Sequence, residues 1–550
     1  MNPLNNNSSD DGTVSPTPKR PRLEAVPTGV TAGRDVTLYT QNQSSFLRLP
    51  DEPKSVIIRY LSLREIARLA RTCKYLGDFV ENSKALERAW YRRFPSQHRD
   101  QLKTIFKAKT NQELRDWLRP FANNETIESL VERRDNAYFP ALFLFTNSKL
   151  MSLCEKFNLE TKTEIIHSSW IHKATLSPDS RHLVTACLDN ILKISSREND
   201  GSWKVKANIS HNVTSATFSP DSRHLLTASR VNAVIYGMEE DGSWKLKFTI
   251  SHEDGVCSAT FSADGHHVLT SGLDKKLKIY GLENDGSWQA KATINHNAEA
   301  AGLASFSIDG RHLMIYSTYS VTIYGKQAND SWNEKGTINH NGWVMTAQFS
   351  ADGGYVVTAS RDGKAKIYGL QDDGSWKKTD EIQHDGSVYS AKFSTDGTQV
   401  VTASEDKTTK IYGLLAGSWV NKAIIPHESP VHSAIFSADS RHLLTTITNN
   451  TAKIYRLETD GSWVEKATIS HKDRIYSATF STDGCLVVTA SKDATAQIYG
   501  LGADGSWLQK AIISHRGVIG LGSAAFGVDG RHVVTFSDYS ARITELQKDV

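Results

Sequence analysis

From about residue 150 onward the chain is written in short runs in which apolar and polar positions alternate. Residues 256–292 are typical: V-C-S-A-T-F-S, then A-D-G, H-H-V-L-T-S-G, L-D-K-K, L-K-I-Y-G-L, E-N-D-G and S-W-Q-A-K-A. Cys257, Ala259 and Phe261 share one face of the first run, which is the period of a strand. The Asp-Gly or Asp-Ser pairs between runs favour tight hairpins. Each unit therefore predicts four short antiparallel strands. The unit recurs: His167, His211, His252, His296, His340, His384, His427, His471 and His515 are separated by 44, 41, 44, 44, 44, 43, 44 and 44 residues, which marks nine copies. A period of about 40 to 45 residues with four strands per copy predicts propeller blades, and a mostly β region over 150–550. The last copy holds three runs, G-S-A-A-F, H-V-V-T-F-S and A-R-I-T-E-L, while T-K-T-E-I-I at 161–166 is left over as a fourth. Pairing the two would close the ring and leave no open edge. The count predicts nine blades, with an eight-bladed ring and one displaced repeat as the alternative.

Upstream the period changes. Over 45–95, Ile66, Leu69, Ala70 and Cys73 fall at i, i+3, i+4 and i+7, one stripe of a helix. Ser62 and Glu65 are spaced as a capping box that starts it. A segment this short buries little core unaided, so its apolar stripe predicts a partner. Residues 96–149 continue the helical spacing, with Leu102, Ile105, Phe106, Leu114, Trp117 and Leu118, and read as a helical linker. Residues 1–44 are rich in Asn, Ser, Asp, Pro and Thr and read as a disordered tail. Within it the basic cluster Lys19–Arg22 fits a nuclear-import address or a chance cluster.

Composition narrows the functional classes. With 64 Lys+Arg against 61 Asp+Glu the formal charge is +3, which predicts no nucleic-acid partner. Five cysteines (Cys73, Cys154, Cys187, Cys257 and Cys485) with no C-x-x-C pair predict a reducing compartment rather than a disulfide framework. The longest apolar run, 137–145, is about half a membrane span and contains Pro140, so no membrane segment is expected. The first residues lack the pattern of a secretory leader. The expected location is intracellular, cytoplasmic or nuclear.

The repeats over 161–546 resemble the WD-repeat (WD40) propellers. In that family a His before the first strand, a Ser or Thr in the second, an Asp in the next turn and a Trp in the third strand form a hydrogen-bonded set. The resemblance places the Asp at Asp189, Asp274, Asp362, Asp406 and Asp493, with Asn449 in its place once. Tyr236, Tyr280, Tyr324, Tyr368, Tyr412, Tyr455 and Tyr499 occupy the Trp position, where a flat body and a hydroxyl could complete the set. Blades around Arg230 and Thr318 lack the Asp and are expected to be looser. Eight further tryptophans, from Trp203 to Trp507, recur in register, and their regularity points to packing. The repeat histidines lie one blade apart, so no metal or cofactor is expected among them.

Residues 45–95 resemble the F-box. Leu49, Pro50, Val56, Ile57, Leu61, Leu69, Cys73, Leu76 and Trp90 follow that family's order. The resemblance implies docking to a Skp-type adaptor of a cullin ubiquitin ligase. The target would then be held by positions that vary from blade to blade at the loop end implied by the WD40 resemblance: Trp170, Arg230, Trp343, Arg361, Tyr389, His432, Arg474, Tyr476 and Lys492. Aromatic and cationic groups of this kind dominate binding hot spots, and converging cations would suit a phosphorylated or acidic peptide. The whole implies the substrate receptor of a Skp-cullin-F-box ligase, without catalytic residues of its own. Alternatives are a plain WD-repeat scaffold, a propeller enzyme, or, if the source is bacterial, an effector acting in a host cell.

Overall fold

The structure, a computed structural model, describes residues 111–112, 115, 127–128, 131–132 and 154–548, apart from 199, 212, 297–301, 503–504 and 516–519. The adaptor set from Leu49 to Trp90 lies outside these residues, as does the basic cluster Lys19–Arg22. Described residues between 111 and 132 are helical, and Arg115 grips Glu128 through two bonds of 2.9 Å. Among the described residues no helix is long and apolar enough to cross a membrane.

The described residues from 157 onward form nine four-stranded antiparallel sheets, the blades of a propeller. In blade I, strand a is Ile171–Leu176, b His182–Cys187, c Ile191–Arg197 and d Trp203–Ser210. Blades II to VIII begin at Ser215, Val256, Leu303, Val344, Val388, Val431 and Ile475. Blade IX takes strands a to c from Leu521–Phe526, His532–Ser537 and Ser540–Lys548, and its strand d is Phe157–Ile166. That strand runs antiparallel to the last one, Phe157 opposite Lys548 and Ile166 opposite Ser540, with one bulge between Thr161 and Thr163. The leftover run at 161–166 thus closes the ring, and the blade count is nine.

The burial pattern explains the local choices. Strand b is buried along nearly its whole length, because neighbouring blades cover both its faces, and it is rich in Val, Leu and Thr. Strand d, at the outer edge of each sheet, is mostly exposed, as in Trp288–Asn295, where only Trp288 and Ile294 are buried. In blades II to VIII the c–d pair slips at one place, between the Ile and Tyr of I-Y. Bulges of this kind increase twist, as a propeller requires. The Asp-Ser pairs turn as the Asp-Gly pairs do: Ser180, Ser222 and Ser440 hold φ near 60°, the region Gly265 adopts at 75°.

The core lies between blades rather than within them. One cluster joins Leu226, Ile235 and Ile250 of blade II to Val256, Phe261 and Val268 of blade III. Tyr280, also in this cluster, packs against Phe248 at 5.3 Å. The repeat tryptophans serve the same seam: Trp376 packs edge-on against His312 of the preceding blade at 5.4 Å and against Phe349 of its own at 5.9 Å. The periodic histidines before strand b are therefore stacking partners, as His182, His224 and His442 also show. On strand c, the ammonium groups of Lys193, Lys278, Lys366 and Lys410 reach back to the last d-strand carbonyl of the blade before, at 2.5–2.6 Å. Around the inner strands, Ser258 and Ser477 accept the amides of Ala304 and Ala524 in the next blade.

Closure is reinforced by charge. Glu545, 4% exposed, pairs with Arg531 at 2.7 Å and with Lys162 on the closing strand at 2.8 Å. Removing one partner of a buried pair typically costs about 3–5 kcal/mol. Glu545→Gln is expected to lower stability by that amount in denaturant unfolding, whereas Lys276→Ala, which frees the exposed Glu253, leaves the midpoint unchanged.

Candidate functional site

The end of the ring that carries the irregular residues is defined by the repeat histidines. Each lies in the d–a loop, and in four blades its Nδ1 meets an aspartate of the b–c turn: His252–Asp274 and His340–Asp362 at 2.8 Å, His384–Asp406 at 2.7 Å, His471–Asp493 at 3.0 Å. The Nε2 of each meets a strand-b threonine, such as Thr270 at 2.9 Å. These bonds tie the d–a loops to the b–c turns, so both sets of variable residues share one face. The third-strand tyrosines do not complete the set. The threonine hydroxyl instead reaches a strand-c carbonyl, that of Lys410 from Thr402 at 3.3 Å, while Tyr412 packs toward blade V.

Where the aspartate is missing the blades differ. In blade II Asn232 stands in, its amide oxygen 3.0 Å from His211 Nε2. In blade VII Asn449 does not: it accepts from Thr451, and His427 Nε2 turns to Thr409 of the preceding blade at 3.2 Å. Burial holds His252, His340, His384 and His471 below the ordinary imidazole value despite their aspartates. Without such a partner, burial pushes His427 and His515 down to about 4, with Lys453 and Arg542 respectively adding to the shift.

On this face the predicted residues fall into unequal groups. Trp343 is 51% exposed, its Nε1 donates to the Tyr319 hydroxyl at 3.1 Å, and the Arg361 guanidinium lies 4.8 Å from its ring centre. Tyr389 is half-buried; burial and the Glu405 carboxylate push its phenol up, and the Arg361 guanidinium pulls it down. The Tyr389 ring lies 5.8 Å from His432, whose imidazole burial and Arg474 both pull down. Tyr319, Trp343, Arg361, Tyr389, His432 and Arg474 thus form one track across blades IV to VIII. Tyr476, 48% exposed, and Lys492, 3.7 Å from Asp473, extend it on blade VIII. Two predicted residues stand apart from it. Trp170, 53% exposed, donates to the Tyr539 hydroxyl at 3.0 Å where blades IX and I meet, and Arg230 is exposed on blade II.

The sequence reading missed Tyr319 and Tyr539, which sit in the two turns where Tyr-Ser replaces the usual residues after the turn, at 319–320 and 539–540. It also missed exposed Leu188 and Leu273, which occupy in blades I and III the column held by Arg361, Glu405 and Lys492 elsewhere. Their exposure gives the other arc of the face an aliphatic character.

Because the buried histidines are neutral when folded and have lowered folded values, the unfolded chain takes up protons first as pH falls below about 6.5. Stability is therefore expected in full above that pH and to fall steadily toward pH 4. Thermal melts across this range should show it, and His427→Gln should flatten the slope by about one proton, ~1.4 kcal/mol per pH unit.

Two family models match the chain, in agreement with this architecture. The family "WD domain, G-beta repeat" matches residues 160–194, 203–246, 244–281, 332–369, 376–413 and 463–500, and the family "F-box domain" matches residues 46–87. Solved structures similar to this chain include the C-terminal WD40 domain of Sif2, at 13% identity and TM-score 0.47, covering 70% of this chain and 98% of that one. Sqt1 of Chaetomium thermophilum is similar at 16% identity and TM-score 0.47, covering 70% and 98%. Its complex with the N-terminus of the ribosomal protein L10 gives 16% and 0.48, covering 70% and 100%. No curated protein sequence matches the chain.

Proposed function

Because this chain is an F-box protein carrying a nine-bladed WD40-repeat propeller, we propose that it is the substrate receptor of a Skp-cullin-F-box ubiquitin ligase. In this reading Leu49, Pro50, Val56, Ile57, Leu61, Leu69, Cys73, Leu76 and Trp90 supply the apolar face that docks the Skp-type adaptor. The propeller face holds a target protein, and bond formation belongs to the ligase partners. The chain acts by raising the effective concentration of the target beside activated ubiquitin. It works inside the cell, or inside a host cell if it is a bacterial effector.

The observation that carries this reading is the joining, in one chain, of the F-box match to a propeller face whose irregular residues converge. Trp343, Arg361, Tyr389, His432 and Arg474 are adjacent although they come from four different blades, and the uniform positions are spent on the seams. Exposed aromatic rings beside guanidinium groups suit a protein segment with acidic or phosphorylated side chains.

Two measurements test it. The full chain should retain purified Skp adaptor, and Leu49→Ala with Ile57→Asp should abolish retention; retention that is absent, or unaffected by that pair, leaves a plain scaffold. For a target recovered by crosslinking in cells and then purified, Trp343→Ala should weaken binding by ~2 kcal/mol, about 30-fold in calorimetry. Lys377→Ala, on exposed strand d, should leave affinity unchanged.

A further inference from the structure

Blade I departs from its sisters at one point. His167 Nδ1 lies 3.5 Å from Asp189 Oδ2, against 2.7–3.0 Å in blades III, V, VI and VIII. Its imidazole is fully buried, yet Nδ1 has no hydrogen-bond partner. The ring is held from the other side, where Nε2 meets Thr185 Oγ1 at 2.8 Å. With the proton on Nε2, the Nδ1 lone pair is free to bind. Asp189 Oδ2 has turned to the hydroxyl of Ser168 at 2.7 Å.

The same blade carries the one change of element in this set. Cys187 stands where blades V, VI and VIII have Ser360, Ser404 and Ser491, whose hydroxyls donate to a carbonyl of the d–a loop; Cys187 Sγ does the same to Ser169 at 2.8 Å. A nitrogen, a sulfur and an oxygen thus lie within 4.8 Å of one another, a group with metal-ligand spacing among the described residues. A separation of 3.5 Å is too long for a strong hydrogen bond. It is close to the edge of a tetrahedron built on metal bonds of about 2.0–2.1 Å to N and O and about 2.3 Å to S.

We propose that His167 Nδ1, Cys187 Sγ and Asp189 Oδ2 bind a zinc-class divalent ion. The fourth position goes to water, because Asp189 is only partly buried and Ser168 beside it is exposed. Thr185 fixes the ring as an outer partner does in metal sites generally. On binding, the Cys187 thiol gives its proton to solvent, the sulfur bonds the ion as thiolate, and the Ser169 carbonyl loses its donor. The proposal departs from the expectation of no metal among the repeat histidines: a single one of them, His167, takes part, and the other two ligands come from its own blade.

The test uses the full-length, metal-free protein titrated with Co²⁺ and, separately, Zn²⁺. One equivalent of Co²⁺ should produce a near-ultraviolet thiolate-to-metal band together with the visible bands of four-coordinate cobalt. Cys187→Ser should remove the thiolate band and weaken Zn²⁺ binding by roughly 100-fold. That variant installs the residue of three sister blades, and its unaltered melting curve without metal will show that the fold survives. Absence of the thiolate band at one equivalent, or Zn²⁺ binding as tight in Cys187→Ser as in the unsubstituted chain, overturns the proposal.

Discussion

A blade of this protein is apolar on both faces, and it can bury them only against another blade. Strand b shows the constraint most plainly: in blades I and VIII each of its six residues is buried, which a free-standing sheet could not achieve. Stability is therefore a property of seams, as expected for repeat architectures. The seam chemistry is repeated in detail, with an indole against the histidine of the blade before, a tyrosine in the cleft, and a lysine strut to the neighbouring carbonyl. An array of such seams has two raw ends unless it closes, and the pairing of Phe157–Ile166 with Ser540–Lys548 removes both.

The division between scaffold and recognition follows from the same constraint. Positions that serve a seam are held uniform by packing. Positions that serve none, such as the residue beside the turn aspartate, are free to be Leu188, Leu273, Arg361, Glu405 or Lys492. Because the His–Asp bonds bring two such columns to one face, irregularity in sequence becomes adjacency in space. The track from Tyr319 to Arg474 crosses blade boundaries for this reason.

Much of this was legible in advance. The histidine period and the Asp-Gly pairs encode strand number, turn position and closure, because backbone geometry at those points tolerates few alternatives. The shared face was implied by the WD40 resemblance, and the His–Asp bonds that join the d–a loops to the b–c turns are its physical cause. Side-chain destinations were harder. A tyrosine in the tryptophan column could join the hydrogen-bonded set or fill the cleft, and in the structure it packs into the cleft. Asn449 resembles an aspartate substitute, yet His427 finds Thr409 of another blade, a partner 18 residues earlier that no local pattern names. Tyr319 and Tyr539 were overlooked because their value lies in contact with Trp343 and Trp170 from other segments.

The closing strand also has a history within each molecule. About 380 residues separate Ile166 from Lys548, so at typical ribosomal speeds Phe157–Ile166 emerges on the order of 20 to 80 s before the strand it will pair with. Throughout that interval it is a naked edge, the kind of segment that recruits copies from neighbouring nascent chains. Glu160, Lys162 and Glu164 make it a poor template for its own kind. The same three residues are afterwards engaged by Gln547, Glu545 and Arg542, so the guard against premature association during translation is converted into the latch of the finished ring.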